Sequence, residues 1–237
     1  MAYKKSRSRV ELDNALKDIK SRLKLVENKL INPFIREYVI AASIFLAHAE
    51  IENFIEDIIS SFASGVQASV QKGSALPGYL QSHLFLTKSN SVKIYSGFIA
   101  QNSEKELLKG FSAAIKGIAG NMVDDSRNIS PFTGQDIYGK LKYPSQDNLK
   151  KIFIRLGVEN LFDELSRILR KDSKAMLESL GSLRTQLAHT GTLPGVSCRD
   201  VRDRLDDAGR FVGALDRVVY SITTQQLGSN IWATHLC

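Results

Sequence analysis

Apolar residues fall at helical spacing through most of the chain. Leu12, Leu16, Ile19, Leu23, Val26 and Leu30 recur at steps of four and three, which is one seam of a long first helix stopping near Asn32. Asn32-Pro33 then reads as a helix start, with Asn as N-cap and Pro at the first position, where its missing N–H costs nothing. No Pro or Gly interrupts Tyr38 to Phe62, and Ile51, Phe54, Ile55, Ile58, Ile59 and Phe62 mark one apolar face of that second helix. Further on, Ser145 looks like the cap of a helix over 146–156, closed by Gly157. Another helix begins at Asp172 or Ser173 and runs to His189, where Thr190-Gly191 and Pro194 end it. The last opens at Ser197, with Asp200 three residues on. Its positions Val201, Leu205, Ala208, Val212, Leu215, Val219 and Ile222 repeat the four-and-three step, so the chain ends on a long helix.

Between 73 and 148 the periodicity weakens. Leu-Pro-Gly at 76–78 and Ser-Pro-Phe-Thr-Gly at 130–134 punctuate an insertion of shorter helices and loops, in which Ser103 and Glu106 form a capping-box pattern that opens a helix to about Ile118. No period-2 run or hairpin turn competes. The expected fold is all-α: one elongated helical bundle over 1–237, with a basic N-terminal helix (1–31), long first, second and last helices, and an inserted region at about 73–148.

A chain of 237 residues with 43% hydrophobic content can stand on its own core. Cys198 and Cys237 offer neither a disulfide framework nor a metal set. The basic start MAYKKSRSRV leads into ELDNALKDIK rather than an apolar stretch, and no segment approaches the ~18 apolar residues of a membrane span. No membrane and a cytoplasmic location are the expectation. Charge is uneven, since residues 1–30 hold nine basic side chains against four acidic and so supply five of the seven net positive charges. A polyanion such as RNA would account for Lys4, Lys5, Arg7 and Arg9 as a binding arm, and a solvated basic helix face is the alternative. As an arm, residues 1–9 should be removable with weaker RNA binding and an intact fold.

The usual catalytic patterns are missing: no Gly-rich phosphate loop, no His-Glu-x-x-His, no Cys-x-x-Cys and no Gly-x-Ser-x-Gly. Asp124-Asp125 and Asp206-Asp207 are better read as solvent-facing than as metal-binding acids, with Asp206 four residues before Arg210 and Asp200 four before Arg204. His48, His83 and His235 read as structural or surface residues. Ser182 to Gly191 differs. It sets Arg184 and His189 five apart at the end of a helix, about 140° apart around it and roughly 7.5 Å along its axis, so that both can border one groove. Arg supplies a permanent, forked charge suited to phosphate. His189 sits where the negative end of the helix dipole favours positive charge.

Arg-x-x-x-x-His closing a helix, the Ala-His-Thr-Gly at 188–191 and a long final helix opening with Arg-Asp-Val-Arg-Asp-Arg-Leu resemble the HEPN superfamily of all-helical nucleases, and within it the RiboL-PSP-HEPN group. Ala-Glu-Ile-Glu-Asn-Phe-Ile-Glu (49–56) and Pro-Ser-Gln-Asp-Asn-Leu-Lys-Lys-Ile-Phe-Ile-Arg-Leu-Gly (144–157) extend the likeness, which spans about 38–220. The resemblance implies a HEPN-like bundle and an endoribonuclease needing no metal or other cofactor, whose site forms across a homodimer and leaves 2′,3′-cyclic phosphate ends. It implies that Arg184 neutralises the scissile phosphate, that His189 transfers a proton at the 2′-hydroxyl or the leaving 5′-oxygen, and that Glu52 supports the pair. Thr185 stands where the family commonly has Asn, Asp or His, and would act in support. A toxin or effector in bacterial defence or a toxin–antitoxin system, with an antitoxin or defence-system partner protein, is the biological expectation. The alternatives are a catalytically silent HEPN scaffold that binds RNA, nucleotide or a protein partner, and a helical dimerisation module.

Overall fold

A computed structural model describes residues 2–28, 30–88 and 104–237, and among them no strand occurs. In chain order the helices are α1 (Arg7–Leu25), α2 (Pro33–Ser69), α3 (Gly78–Lys88), α4 (Glu104–Lys116), α5 (Gly134–Tyr138), α6 (Gln146–Arg155), α7 (Leu161–Leu169), α8 (Ser173–Thr190), α9 (Cys198–Gln226) and the short α10 (Ser229–Ile231). Local chemistry sets the starts. The Asn32 side chain accepts from Phe34 N–H, Ser145 from Asn148 N–H, and Asp172 from Lys174 and Ala175 N–H, while Ser197 and Asp200 form a reciprocal capping box. Each such cap contributes about 1 kcal/mol.

The long helices α1, α2, α8 and α9 form the bundle. Ion pairs fix the antiparallel register of α1 and α9, with Lys20 Nζ 2.6 Å from Asp206 and Arg202 paired with Glu27 at 2.7 Å. The seam Leu12, Leu16, Ile19, Leu23 and Val26 is buried as its spacing implies, but Leu30 is 90% exposed, because α1 ends at Leu25 and the seam cannot continue through a turn. The α9 acids also differ from expectation. Asp200 is spent on the cap, Asp206 reaches α1, Asp207 pairs with Arg210 and Lys171, and Arg204 donates to the Ser179 carbonyl instead of to Asp200. Asp124 and Asp125 shape turns by accepting from Ser126 and Ser74 N–H.

The insertion packs on α2 through α5, which carries the fully buried Ile137, while Leu80, Leu84 and Met122, also fully buried, join α3 to the turn at 118–122. At Gly134 a Cβ would stand 2.6 Å from Ser60 Cα, so α5 approaches α2 more closely than any side chain allows. Ser103, expected to cap α4, lies outside the described residues. Helix α7 was not expected from sequence. Its Leu161, Phe162 and Leu165 are buried, yet Asn160 makes no side-chain cap and the helix stops on left-handed Arg170 (φ 52°) rather than on glycine, so the usual punctuation is missing. Nor does the chain end on α9. It continues past Gly228 into turns that bury Trp232 and Leu236.

Those turns lock the N-terminal segment. Trp232 Nε1 donates to the Lys4 carbonyl at 3.0 Å. Asp216, fully buried on α9, accepts from the Tyr3 hydroxyl (2.6 Å), Ser6 N–H (3.2 Å) and the Ser6 hydroxyl (2.5 Å). Arg9 donates to the Gly209 carbonyl and pairs with Asp13, leaving its side chain 11% exposed. The expected free arm is therefore a docked segment, because its polar groups find buried partners on α9. Lys4, Lys5 and Arg7 remain exposed, Lys5 paired with Asp13 at 2.8 Å.

Helix α2 also departs from the sequence reading. By length and composition it is apolar enough to cross a membrane, and 44% of its most apolar stretch is buried against the bundle.

Candidate functional site

Met176, Leu177, Leu180, Leu183 and Leu187 turn one face of α8 inward. This leaves Arg184 half-buried and Thr185 and His189 exposed on the other side. Gly191 ends the helix in the left-handed region (φ 71°), its N–H bonded to the Leu187 carbonyl at 2.9 Å, so His189 stands in the last turn at the negative end of the dipole.

Arg184 lies over the ring of Tyr143, its guanidinium carbon 4.9 Å from the ring centroid. No carboxylate pairs with it among the described residues. A cation held by an aromatic face keeps its hydrogen-bond fork free for an incoming anion. The Tyr143 ring in turn runs parallel to that of His48 on α2, at 6.1 Å and 6°. His48 is buried, and neither ring nitrogen makes a well-formed hydrogen bond, the Leu180 carbonyl offering only a weak acceptor. Burial pushes its pKa below the ordinary histidine value and the Arg184 charge adds to this, while the Leu180 carbonyl acts in the opposite sense. His83, shifted down by burial and held back by the Asp136 carbonyl, behaves alike.

A stability effect follows. Below about pH 6.5 the unfolded chain takes up protons that the native histidines refuse, so stability present above that pH is lost as pH falls towards the lowered native values. Urea midpoints should drop between pH 7 and pH 5. His48→Met, which removes both ring nitrogens, should flatten the drop and leave the His83 share. An unchanged slope would contradict the assignment.

Beside this cluster a groove of about 810 Å³ opens between α6 and α8, with Tyr143, Gln146, Gly181, Ser182, Thr185 and Gln186 among its walls. A second cleft of about 230 Å³ lies between α2 and the end of α8, touching Phe34, Tyr38, Leu187, Gly191 and Leu193. Thr185 thus lines the first cavity, Arg184 reaches it through Tyr143, and His189 lines neither, standing one turn past Thr185 on the same face of α8. Glu52 is placed elsewhere. The α2 residues facing the end of α8 are Phe34 to Ala41, so Glu52 lies roughly 20 Å further along α2 at 1.5 Å per residue, one turn past His48, and does not meet His189 of its own chain. It makes no hydrogen bond or ion pair among the described residues. Lys4, Lys5 and Arg7 sit near the opposite end of α9 from the α8–α9 turn.

Tyr143 and His48 are the members that sequence reasoning passed over. A tyrosine before a Pro-Ser helix start carries no catalytic pattern, and a histidine among apolar residues reads as core. Among the described residues no group of three His, Cys, Asp or Glu side chains could hold a metal ion.

No curated protein and no solved structure matches the chain. Its residues 10–221 match the family model described as RiboL-PSP-HEPN, nearly the whole length, and a HEPN domain suggests a ribonuclease-type or RNA-related function. With Arg184 and His189 closing α8 in an all-α bundle that the match spans from α1 to α9, the chain belongs to the RiboL-PSP-HEPN family.

Proposed function

We propose that the protein is a metal-independent endoribonuclease that works as a homodimer, the toxin or effector of a bacterial defence or toxin–antitoxin system, held in check by a partner protein. One observation carries the reading: Arg184 presents a guanidinium that no carboxylate among the described residues neutralises, shelved on Tyr143, five residues before an exposed His189. Arg184 would hold the scissile phosphate and its growing negative charge. His189 would take the proton of the attacking 2′-hydroxyl or return one to the leaving 5′-oxygen. The nucleophile is the substrate's own hydroxyl, so positioning supplies much of the rate. Thr185, exposed on the same helix, can donate or accept a hydrogen bond at the phosphate, and Glu52 can serve only from a second chain or through an intermediate group. Incubation with labelled RNA and the matching DNA tests the substrate class, since DNA lacks the internal nucleophile.

The dimer reading rests on the first half of α2. Phe34 (80% exposed), Ile35, Tyr38 (76%), Phe45 and Leu46 recur at helical spacing on its outer side. They present several hundred Å² of apolar surface, against about 800 Å² per partner in a standard interface. This face adjoins the cleft at the α8–α9 turn, so a two-fold contact through it would bring together the two turns that follow His189. Phe34→Asp combined with Tyr38→Asp should give a folded monomer by light scattering, with cleavage lost. Wild-type protein that is monomeric at micromolar concentration, or that instead binds lipid vesicles through this face, would contradict the proposal.

A further inference from the structure

The groove between α6 and α8 has a chemistry of its own. Its floor is Leu177, Pro144 and the bare backbone of Gly181, where an added Cβ would meet nothing within 4 Å. Glycine is the poorest helix former after proline and alanine the best, so a glycine in the middle of α8 costs stability and leaves open a slot that any side chain would fill. The rim is polar but uncharged at Ser182, Thr185 and Gln186. Two carboxylates complete it, Asp147 from α6 and, one turn before Ser182 on the same face of α8, Glu178, which accepts a hydrogen bond from Gln146. Among the described residues no Lys or Arg lines the groove, and Arg184 touches it through Tyr143.

Two exposed carboxylates and no lining cation repel phosphate. An apolar floor with hydroxyl and amide groups around it suits a flat, neutral heterocycle that both donates and accepts hydrogen bonds. Carboxylates only accept, so they select a ring bearing an exocyclic amino group, as acidic side chains do with the amino group of cytosine. We infer that this groove is a nucleobase subsite, taking adenine, cytosine or guanine in preference to uracil from the nucleotide beside the phosphate held by Arg184. The inference rests on the ribonuclease reading for its substrate, but the binding it describes can be measured without cleavage.

The probes are the free nucleosides adenosine, cytidine and uridine, titrated by NMR into the His189→Ala protein, together with the cleavage pattern of the otherwise native enzyme on mixed-sequence RNA. Adenosine or cytidine should bind at least fivefold more tightly than uridine. In the same background Gly181→Leu should weaken that binding tenfold or more, whereas Gly181→Ala folds at least as well and weakens it less. Glu178→Gln, a surface change that spares the fold, should level the preference among nucleosides and, in the enzyme, even out the bases flanking cut sites. Nucleoside binding indifferent to Gly181→Leu and Glu178→Gln, or a cleavage pattern unchanged by both, would overturn the subsite while leaving the nuclease standing. Selective binding in a protein that cuts no RNA would keep the subsite and remove the ribonuclease. If Gly181→Leu fails to fold, Glu178→Gln decides the matter alone.

Discussion

His189→Ala is expected to lower the RNA cleavage rate by roughly 10²- to 10⁴-fold while leaving RNA affinity within about twofold. The imidazole is exposed in the last turn of α8 and makes no hydrogen bond among the described residues, so its removal leaves nothing buried unpaired and should not move the melting temperature. Arg184→Ala should act differently. Its guanidinium is asked to hold phosphate before the reaction and charge during it, so affinity and rate should both fall. Arg184→Lys should recover charge without the fork, and so only part of the rate. Single-turnover rates with directly measured affinities separate these cases. A His189→Ala protein that cleaves at the native rate would remove this residue from the chemistry.

The largest effect on folding is expected at Asp216. The carboxylate is fully buried and accepts three hydrogen bonds from Tyr3 and Ser6, and the Ser6 hydroxyl in turn caps α1 by accepting from Arg9 N–H. Asp216→Ala strands these donors and undoes the docking of the first helix, at a cost of roughly 3–5 kcal/mol, or about 10 °C of melting temperature for a chain of this size. Asp216→Asn, with one acceptor kept, should lie between. Deleting residues 1–9 should also destabilise, since Tyr3, Ser6 and Arg9 go with them. Thermal unfolding followed by circular dichroism distinguishes this from a free basic arm, whose loss would leave the transition where it is.

The contrast between arm and docked segment shows what could be read from sequence. Helix starts at Asn32, Ser145, Asp172 and Ser197 were legible because a cap is a contact between residues two or three apart. The buried seams of α1 and α9 were legible because period alone decides which face turns inward. Helix α7 was not, since Asn160 makes no side-chain cap and the left-handed end falls on Arg170 rather than on glycine. Leu30 kept the period of α1 but lay beyond its end, and period cannot report where a helix stops. The docking of Tyr3, Ser6 and Arg9 depends on α9, 200 to 213 residues away, and their sequence shows only charge and polarity. In the same way Arg184 and His189 were named from one stretch of α8, while the shelf under Arg184 comes from Tyr143 before α6 and His48 on α2, which only the packing brings together.

The central claim is that the chain cleaves RNA with its own Arg and His through the substrate's 2′-hydroxyl. The most direct test is mass spectrometry of the fragments from single-stranded RNA incubated with the purified protein in excess EDTA. Cleavage in the chelator is expected, with 2′,3′-cyclic phosphate on one side of each cut and 5′-hydroxyl on the other. Cleavage only after a divalent metal is added, or fragments ending in 5′-phosphate and 3′-hydroxyl, would contradict it.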